Sequence, residues 1–477
     1  MTPDEFRHYG HQLIDWIAAY RRDLEGWPVM AAVKPGEIRA RLPPAPPERA
    51  EPVAAVLDEL ESIIMPGLTH WQSPRFFGFF PANSALASVL GDLASSGLGV
   101  LGLSWQASPA LTELEEVMTD WLRQLLGLSD AWRGVIQDTA SASTLVALLC
   151  ARERTTGFSQ ESGGIAKLER PLVVYASSQS HSSVEKAALL AGFGREQVRA
   201  LAVDQDFAMR PEALAAAIEA DLRTGLTPCA VVATTGTTAT TAVDPLEPLG
   251  ELARRHQIWL HVDAAMAGAA QILEECRWMW RGIEAADSLV LNPHKWLGAV
   301  FDCSLYFVRD EAVLTRVMST HPSYLRSSAD SEVRNLRDWG LPLGRRFRAL
   351  KLWFLLREQG AEGLRARLRR DLENARWLAG EIAAAPDWRL LAPVVLQTLC
   401  VRHEPGGLDG EALDRHTLAW VERINRGGAA YLTPAQLQGR WMARVSIGAE
   451  STERRHVEAL WQVMRQAAQA EPFAASH

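Results

Sequence analysis

Cysteine is scarce in this 477-residue sequence. The five residues Cys150, Cys229, Cys276, Cys303 and Cys400 are scattered, with no C-x-x-C pair and no metal-ligand spacing. That argues against a disulfide framework and a cysteine-built metal centre, and suits buried thiols in a reducing cytoplasm. Positive charge is not in excess. Lys and Arg number 49 against 57 Asp and Glu, a net charge of -8. Nothing in that balance points to nucleic acid or an anionic membrane as a partner. Long apolar runs are missing too. The longest nearly uncharged stretch, 76–112, is broken by Asp92 and holds Pro81, Pro109 and repeated Gly and Ser. A membrane helix needs about 20 apolar residues in a row, so a buried segment or a subunit interface explains this stretch better. The first residues are polar and acidic and do not read as a secretory leader. No internal repeat is present. What remains is an ordinary globular composition, 48% hydrophobic and 22% charged.

The length predicts two or three domains. Thr2-Pro3-Asp4-Glu5 is a capping-box start with proline at the first helical position. Phe6, Tyr9, Leu13, Trp16, Ile17 and Tyr20 then share one helical stripe. A stiff proline-rich connector comes next at 42–47. A second amphipathic helix carries Val56, Leu57, Leu60, Ile63 and Ile64 and stops at Pro66-Gly67. Two helices on an extended linker enclose no core of their own, so they must lie on something else, and a second subunit is the obvious candidate.

From about residue 86 to 350 strand and helix alternate. Short apolar strands are predicted at 134–136, 172–176, 230–234, 258–262, 288–291 and 304–308, with helices near 184–192, 211–223 and 245–256. That pattern predicts an α/β fold, a mostly parallel sheet with helices on both faces. Ligands of such sheets sit at the carboxyl ends of the strands. After Gly344 the sequence turns basic with helical periodicity over 345–384. Strands are predicted near 388–391, 398–402, 430–432 and 442–447, and a closing helix from about Thr452. The expected division is an N-terminal helical segment (1–85), an α/β large domain (86–350) and a small C-terminal α+β domain (351–477).

Two strand ends carry chemistry. Leu289-Val-Leu-Asn-Pro-His-Lys295 is an apolar run that turns at Asn292-Pro293 and delivers a lysine among Pro293, Trp296 and Leu297. An ammonium in apolar surroundings loses pKa and becomes a usable amine nucleophile. A lysine snorkelling from a strand end is the plain alternative. Ile258-Trp-Leu-His-Val-Asp263 ends in a carboxylate that needs a cationic partner if buried. A lysine for an aldehyde and an aspartate for a pyridinium nitrogen are the two parts that pyridoxal phosphate demands. Gly134-Val-Ile-Gln-Asp-Thr-Ala-Ser141 passes from an apolar strand into small polar residues that open a helix. Free N–H groups there suit a phosphate, and an ordinary N-cap by Thr139 or Ser141 is the alternative. His181 stands where a loop enters a helix, and Thr238 lies at the end of Ala233-Thr-Thr-Gly-Thr-Thr238. Neither has a role by itself.

With Asn292-Pro-His-Lys-Trp296 and His261-Val-Asp-Ala-Ala265 in hand, the chain resembles the group II pyridoxal-phosphate decarboxylases, the aromatic-L-amino-acid decarboxylase family. Within it the chain looks nearest to the bacterial DOPA decarboxylases. The resemblance runs from the Trp71 region to Arg444-Val-Ser-Ile-Gly448. It implies a fold-type I, transferase-like large domain and a homodimer clasped by the N-terminal segment. It also implies pyridoxal 5'-phosphate held as a Schiff base on Lys295, and no metal. Asp263 is then the partner of the ring nitrogen and His181 the residue stacked on the ring. Ala140, Ser141 and Asn292 hold the phosphate, with Thr238 and His294 nearby. Relatives usually carry Gly-Ser-Ala-Ser where this chain has Asp138-Thr139-Ala140-Ser141, so Asp138 is expected to point away from the phosphate. By the same resemblance Tyr324, in a polar stretch without periodicity, closes over the substrate and protonates its Cα. Relatives with phenylalanine there make aldehydes instead. Trp71, Phe79, Phe80, Pro81, Leu103 and His294 match substrate-lining positions, although an aromatic cluster taken alone reads as core. Phe79 and Met266 replace tyrosines and Leu103 a phenylalanine.

The reading is therefore a cytoplasmic, homodimeric carboxy-lyase acting on aromatic L-amino acids, with L-DOPA-like substrates first and tryptophan or phenylalanine next. Its rivals are an aromatic aldehyde synthase or an acidic amino-acid decarboxylase on the same scaffold, and, more remotely, a non-catalytic scaffold protein.

Overall fold

The computed structural model describes residues 1–320 and 332–470. They fall into two compact units, one of Met1–Pro81, Glu373–Leu391 and the chain from Leu399, the other of Ala82–Leu372 and Ala392–Thr398. The first unit opens with α1 (Pro3–Arg22), α2 (Glu37–Arg41) and α3 (Val53–Glu59). The second carries α4 (Leu86–Leu98), α5 (Pro109–Leu125), α6 (Ala140–Thr155), α7 (Ser182–Leu190), α8 (Pro211–Arg223), α9 (Leu246–Arg255) and α10 (Glu311–Met318). A long helix, α11 (Ala349–Ala384), leads out of it, and α12 (Gly410–Arg426) and α13 (Arg454–Gln469) complete the first unit.

The second unit is built on seven strands: β1 (Arg133–Gln137), β2 (Leu172–Ser177), β3 (Val198–Leu201), β4 (Thr227–Thr234), β5 (Trp259–Asp263), β6 (Ser288–Leu291) and β7 (Ser304–Val308). Their order is β1-β7-β6-β5-β4-β2-β3. The run β6-β5-β4-β2-β3 is parallel, whereas β7 lies antiparallel between β6 and β1. Parallel neighbours need a long crossover, usually a helix. The link from β6 to β7, residues 292–303, holds the five-residue turn Pro293–Leu297 and no crossover helix, and the chain comes back alongside in the opposite sense. Every residue of β2, β5, β6 and β7 is buried. Burial on both faces is why these strands read as unbroken apolar runs rather than alternating ones.

β1 is an edge strand, and its outer side is closed by an ion pair. Glu115 Oε1, on α5, accepts the Ile136 N–H at 2.8 Å and the Arg345 guanidinium at 2.7 Å. Arg345 also donates to the Ile136 carbonyl. The pair thus satisfies both backbone groups that an edge strand leaves open.

In the first unit β8 (Trp388–Leu390), β9 (Thr398–His403), β10 (Thr433–Leu437) and β11 (Arg440–Ser446) form a sheet in the order β10-β11-β9-β8. The expected strand at 430–432 is displaced to β10. Tyr431 makes an isolated bridge to Phe76 instead, because the extended segment there claims its backbone, Phe77 N–H donating to the Tyr431 carbonyl at 2.9 Å. The long basic helix begins at Ala349 and is broken at Gly360, where φ is +64°. The Thr2–Glu5 capping box forms as expected. No residue of α1 is buried in the chain, and Phe6, Leu13 and Ile14 stand exposed.

Arg345→Met would leave Glu115 as an uncompensated buried charge. The cofactor-free protein is expected to lose about 3–5 kcal/mol in urea unfolding. Glu115→Leu combined with Arg345→Leu should recover only part of that loss, because it removes the buried charge and leaves the Ile136 N–H and carbonyl without partners.

Candidate active site at the carboxyl edge of the sheet

Strand direction brings the predicted site residues to one edge. β5 and β6 run in register with Asp263 beside Val290, and β4 and β5 with Thr234 beside Asp263. β1, antiparallel to β7, points the same way as β6. The chain therefore leaves β1 into α6 at Ala140, β2 toward His181, β4 toward Thr238, β5 at Asp263 and β6 toward Lys295, all on the same side.

Asp263 is buried, and its Oδ1 accepts the Ala265 N–H at 3.0 Å. Oδ2 receives no hydrogen bond from the described residues. His181 caps α7. Its Nδ1 accepts the Ser183 N–H at 3.1 Å and lies 2.8 Å from Ser183 Oγ, which assigns the ring proton to Nε2. Desolvation by the surrounding protein lowers the His181 pKa, the Asp263 charge raises it, and the Lys295 charge lowers it again. His181 is thus within electrostatic reach of both Asp263 and Lys295. His181 is neutral at pH 7.

Lys295 lies half-buried in the turn Pro293–Leu297, which closes at Gly298 with φ of +100°. Its carbonyl accepts Asn83 Nδ2 at 3.1 Å. The preceding His294 is buried, and its Nδ1 accepts the Cys303 N–H at 3.0 Å. Burial, with the Lys295 charge second, depresses its pKa to about 4. Asn292 is anchored by its N–H to the Ala265 carbonyl at 2.9 Å, and its side-chain Oδ1 is buried with no partner among the described residues.

At the start of α6, Thr139 is the N-cap, its Oγ1 accepting the Ala142 N–H at 3.3 Å. The N–H groups of Ala140 and Ser141 find no acceptor among the described residues, which leaves the helix start open to an anion. Asp138 Oδ1 is bonded to the Thr139 N–H at 2.7 Å. Thr238 is exposed, on the loop after β4. In that loop Gly236 has φ of +82°, and a Cβ there would lie 2.5 Å from Ala267 Cβ, so only glycine fits. Asp244 fastens the same loop. Its two oxygens accept the Met209 and Thr234 N–H groups at 2.7 Å each, and burial raises its pKa to about 6.

Of the expected substrate residues, Trp71 and Phe79 stack at 5.3 Å, Phe80 lies beneath Arg444 at 4.1 Å, and Pro81 is buried. Leu103 is half-buried in the segment before α5. Tyr324 lies outside the described residues. Sequence reasoning missed Asn83, Asp244 and Arg444. Asn83 and Asp244 are single polar residues whose role is a backbone contact, which no spacing reveals. Arg444 is 3% exposed, and its Nε and Nη2 have no partner among the described residues. Apolar neighbours on both sides in Trp-Met-Ala-Arg-Val-Ser were the available signal.

A strand-end lysine and aspartate, a neutral histidine that feels the charge of both and an open helix start, on a mostly parallel sheet, define a pyridoxal-phosphate enzyme of fold-type I. The pyridoxal-dependent decarboxylase conserved domain matches residues 35–404. The chain is 40% identical to the phenylacetaldehyde synthase of Arabidopsis thaliana, over 98% of this chain and 96% of that one. It is also 40% identical to the aromatic-L-amino-acid decarboxylase of Bos taurus, over 98% and 97%. The crystal structure of Oryza sativa TDC with PLP and tryptamine superposes with a TM-score of 0.95 at 36% identity, covering 98% of both chains. The chain belongs to the pyridoxal-dependent decarboxylase family, and its cofactor is pyridoxal 5'-phosphate. The residues present fit that group. The two open N–H groups of α6 suit a phosphate, and the open Oδ2 of Asp263 suits a pyridinium nitrogen. Among the described residues no cluster of His, Cys, Asp or Glu is placed to hold a metal.

Neutral His294 makes stability depend on pH. Its folded pKa of about 4 lies below the ordinary 6.5, so the unfolded chain takes up the proton first and stability is lost as pH falls from 6.5 toward 4. Relative to His294→Gln, the wild-type protein should therefore lose more unfolding free energy between pH 7.5 and pH 5 in urea titrations. Equal losses would show that His294 is not held neutral.

Proposed function

We propose that this enzyme decarboxylates an aromatic L-amino acid to the amine and carbon dioxide, taking L-DOPA-like substrates first and tryptophan or phenylalanine next. The observation that carries the reading is the electrostatic contact of His181 with both Asp263 and Lys295 at the carboxyl edge of the sheet. Support for the substrate class comes from the relatives, which include enzymes named for tryptophan and tyrosine decarboxylation as well as aromatic-L-amino-acid decarboxylases.

Pyridoxal phosphate, when bound, supplies an electron-poor ring that accepts the electron pair left on the substrate Cα. Lys295 is the amine that holds the cofactor covalently and yields it to the substrate amine. Asp263 keeps a proton on the ring nitrogen. The N–H groups of Ala140 and Ser141, with Asn292, receive the phosphate, and Thr238 and His294 are assigned to the surrounding pocket. His181 would flank the ring, and its Nε2 proton would be offered to the substrate carboxylate. A cationic histidine would hold that carboxylate too well, since ground-state binding alone does not speed its departure. The neutral imidazole avoids this. After carbon dioxide leaves, Tyr324 gives its proton to Cα. Trp71, Phe79, Phe80, Pro81, Leu103 and His294 are assigned to the aromatic side chain.

Tyrosine at 324 favours simple decarboxylation over aldehyde synthesis. The other scaffold alternative is an acidic substrate. The protein is further proposed to work as a homodimer, because α1 buries nothing within its own chain and α4 exposes Leu86, Leu90 and Leu93 in a row. A cytoplasmic location is supported by five cysteines that are all buried and form no disulfide among the described residues. No helix among the described residues is long and apolar enough to cross a membrane.

The test offers DOPA, tyrosine, phenylalanine, tryptophan and glutamate in parallel to the holoenzyme, and tracks carbon dioxide, amine and hydrogen peroxide separately. Equal yields of amine and carbon dioxide from an aromatic substrate are expected. Turnover of glutamate alone would sink the reading. Tyr324→Phe should keep carbon dioxide release while peroxide and aldehyde replace the amine. Asp263→Asn should lower kcat by about a hundredfold or more, since it removes the carboxylate that would keep the ring nitrogen protonated and the ring electron-poor.

A further inference from the structure

The turn that carries Lys295 is held from outside at four consecutive carbonyls. Asn83 Nδ2 takes the carbonyl of Lys295 at 3.1 Å. Arg367 takes the next two, Nη1 donating to Trp296 O at 2.9 Å and Nη2 to Leu297 O at 2.8 Å. The Ala85 N–H takes the fourth, Gly298 O, at 3.0 Å. Four residues further along α11 than Arg367, Asp371 Oδ2 accepts the indole N–H of Trp296 at 2.8 Å. Positions i and i+4 share a helix face, so one face of α11 holds both the backbone and the side chain of the residue next to Lys295. Trp296 and Asp371 are fully buried and Arg367 is 7% exposed. Gly298 belongs to the same fit, since a Cβ there would approach Arg367 Nη2 to 3.1 Å.

A lysine side chain is long and flexible, and only its backbone sets where the amine starts from. Between β6 and β7 that backbone is a five-residue turn without a ladder of its own. We infer that Arg367 and Asp371 are positioning residues for Lys295, clamping Trp296 so that the ε-amine is presented along one direction at the carboxyl edge of the sheet. The inference rests on the reading of Lys295 as the residue that holds the cofactor. Neither side chain touches the reacting atoms. Their contribution is orientation, where a displacement of about 1 Å is enough to cost about a hundredfold in rate.

The experiment uses full-length Arg367→Gln, Asp371→Ala, Asp371→Asn and Lys295→Ala. The cofactor is removed, pyridoxal phosphate is added back, and the return of the visible absorbance of the covalent form is timed. The kcat and KM on the best aromatic substrate and the melting temperature of the cofactor-free protein are measured alongside. Arg367→Gln and Asp371→Ala should slow the covalent step roughly ten- to hundredfold and lower kcat with little change in KM. Asp371→Asn keeps an acceptor for the Trp296 N–H and should recover most of the rate. Wild-type rates in the first two variants would overturn the clamp, as would an asparagine variant no better than alanine. If Asp371→Ala does not fold, Trp296→Phe with Asp371→Asn removes the N–H without burying a charge. Slowing there supports the clamp, and an unchanged rate overturns it. Lys295→Ala separates the two levels. If it still forms the covalent species, the assignment of Lys295 itself falls. If it does not, and the other variants behave as wild type, the clamp alone falls.

Discussion

A parallel sheet buried on both faces has no room for charge along its strands, so the polar chemistry collects where the strands end. In this chain the constraint acts five times on one side. β1, β2, β4, β5 and β6 all run the same way, and they lead in turn to a helix start, a histidine cap, a glycine turn, an aspartate and a lysine. None of these groups is unusual by itself. Their convergence comes from strand direction, and strand direction from the helical crossovers that join most of them.

The same burial decides which groups stay charged. His261, inside β5, and His294, beside the lysine, are both depressed to about 4 by desolvation and carry no charge at neutral pH. His181 is lowered as well. The histidines around Asp263 and Lys295 therefore add no cations to compete for the carboxylate. Asp244, by contrast, is pushed up to about 6 and spends its oxygens on two backbone N–H groups. The site combines a carboxylate and a lysine with neutral histidine neighbours. That environment suits a cofactor whose own charges must be read without interference.

Relatives of nearly equal identity are named as decarboxylases and as aldehyde synthases. Fold and cofactor site are common to both, so neither separates the outcomes. The choice has to rest on a few side chains near the substrate. Of the residues that the resemblance marks as departures, Phe79, Leu103 and Met266, the last is buried with its sulfur 3.2 Å from Gln397 Nε2.

Much of the frame was legible in the chain itself. The apolar runs ending in Asp263 and before Lys295 announced buried strands, because strands covered on both faces have an unbroken apolar pattern. The alternation with helices announced a mostly parallel sheet, and two short motifs carried the cofactor. Other features had no local signal. The reversal of β7 depends on a link, 292–303, that forms no crossover helix, and the displacement of the 430–432 strand on competition from Phe76 and Phe77. Arg345, Arg367 and Asp371 read as charges on a basic, helix-period stretch, which by spacing alone face water. The tertiary structure buries them against Ile136, Trp296 and Leu297. A carbonyl looking for a donor has no sequence signature, and its partner is chosen only when the chain has packed.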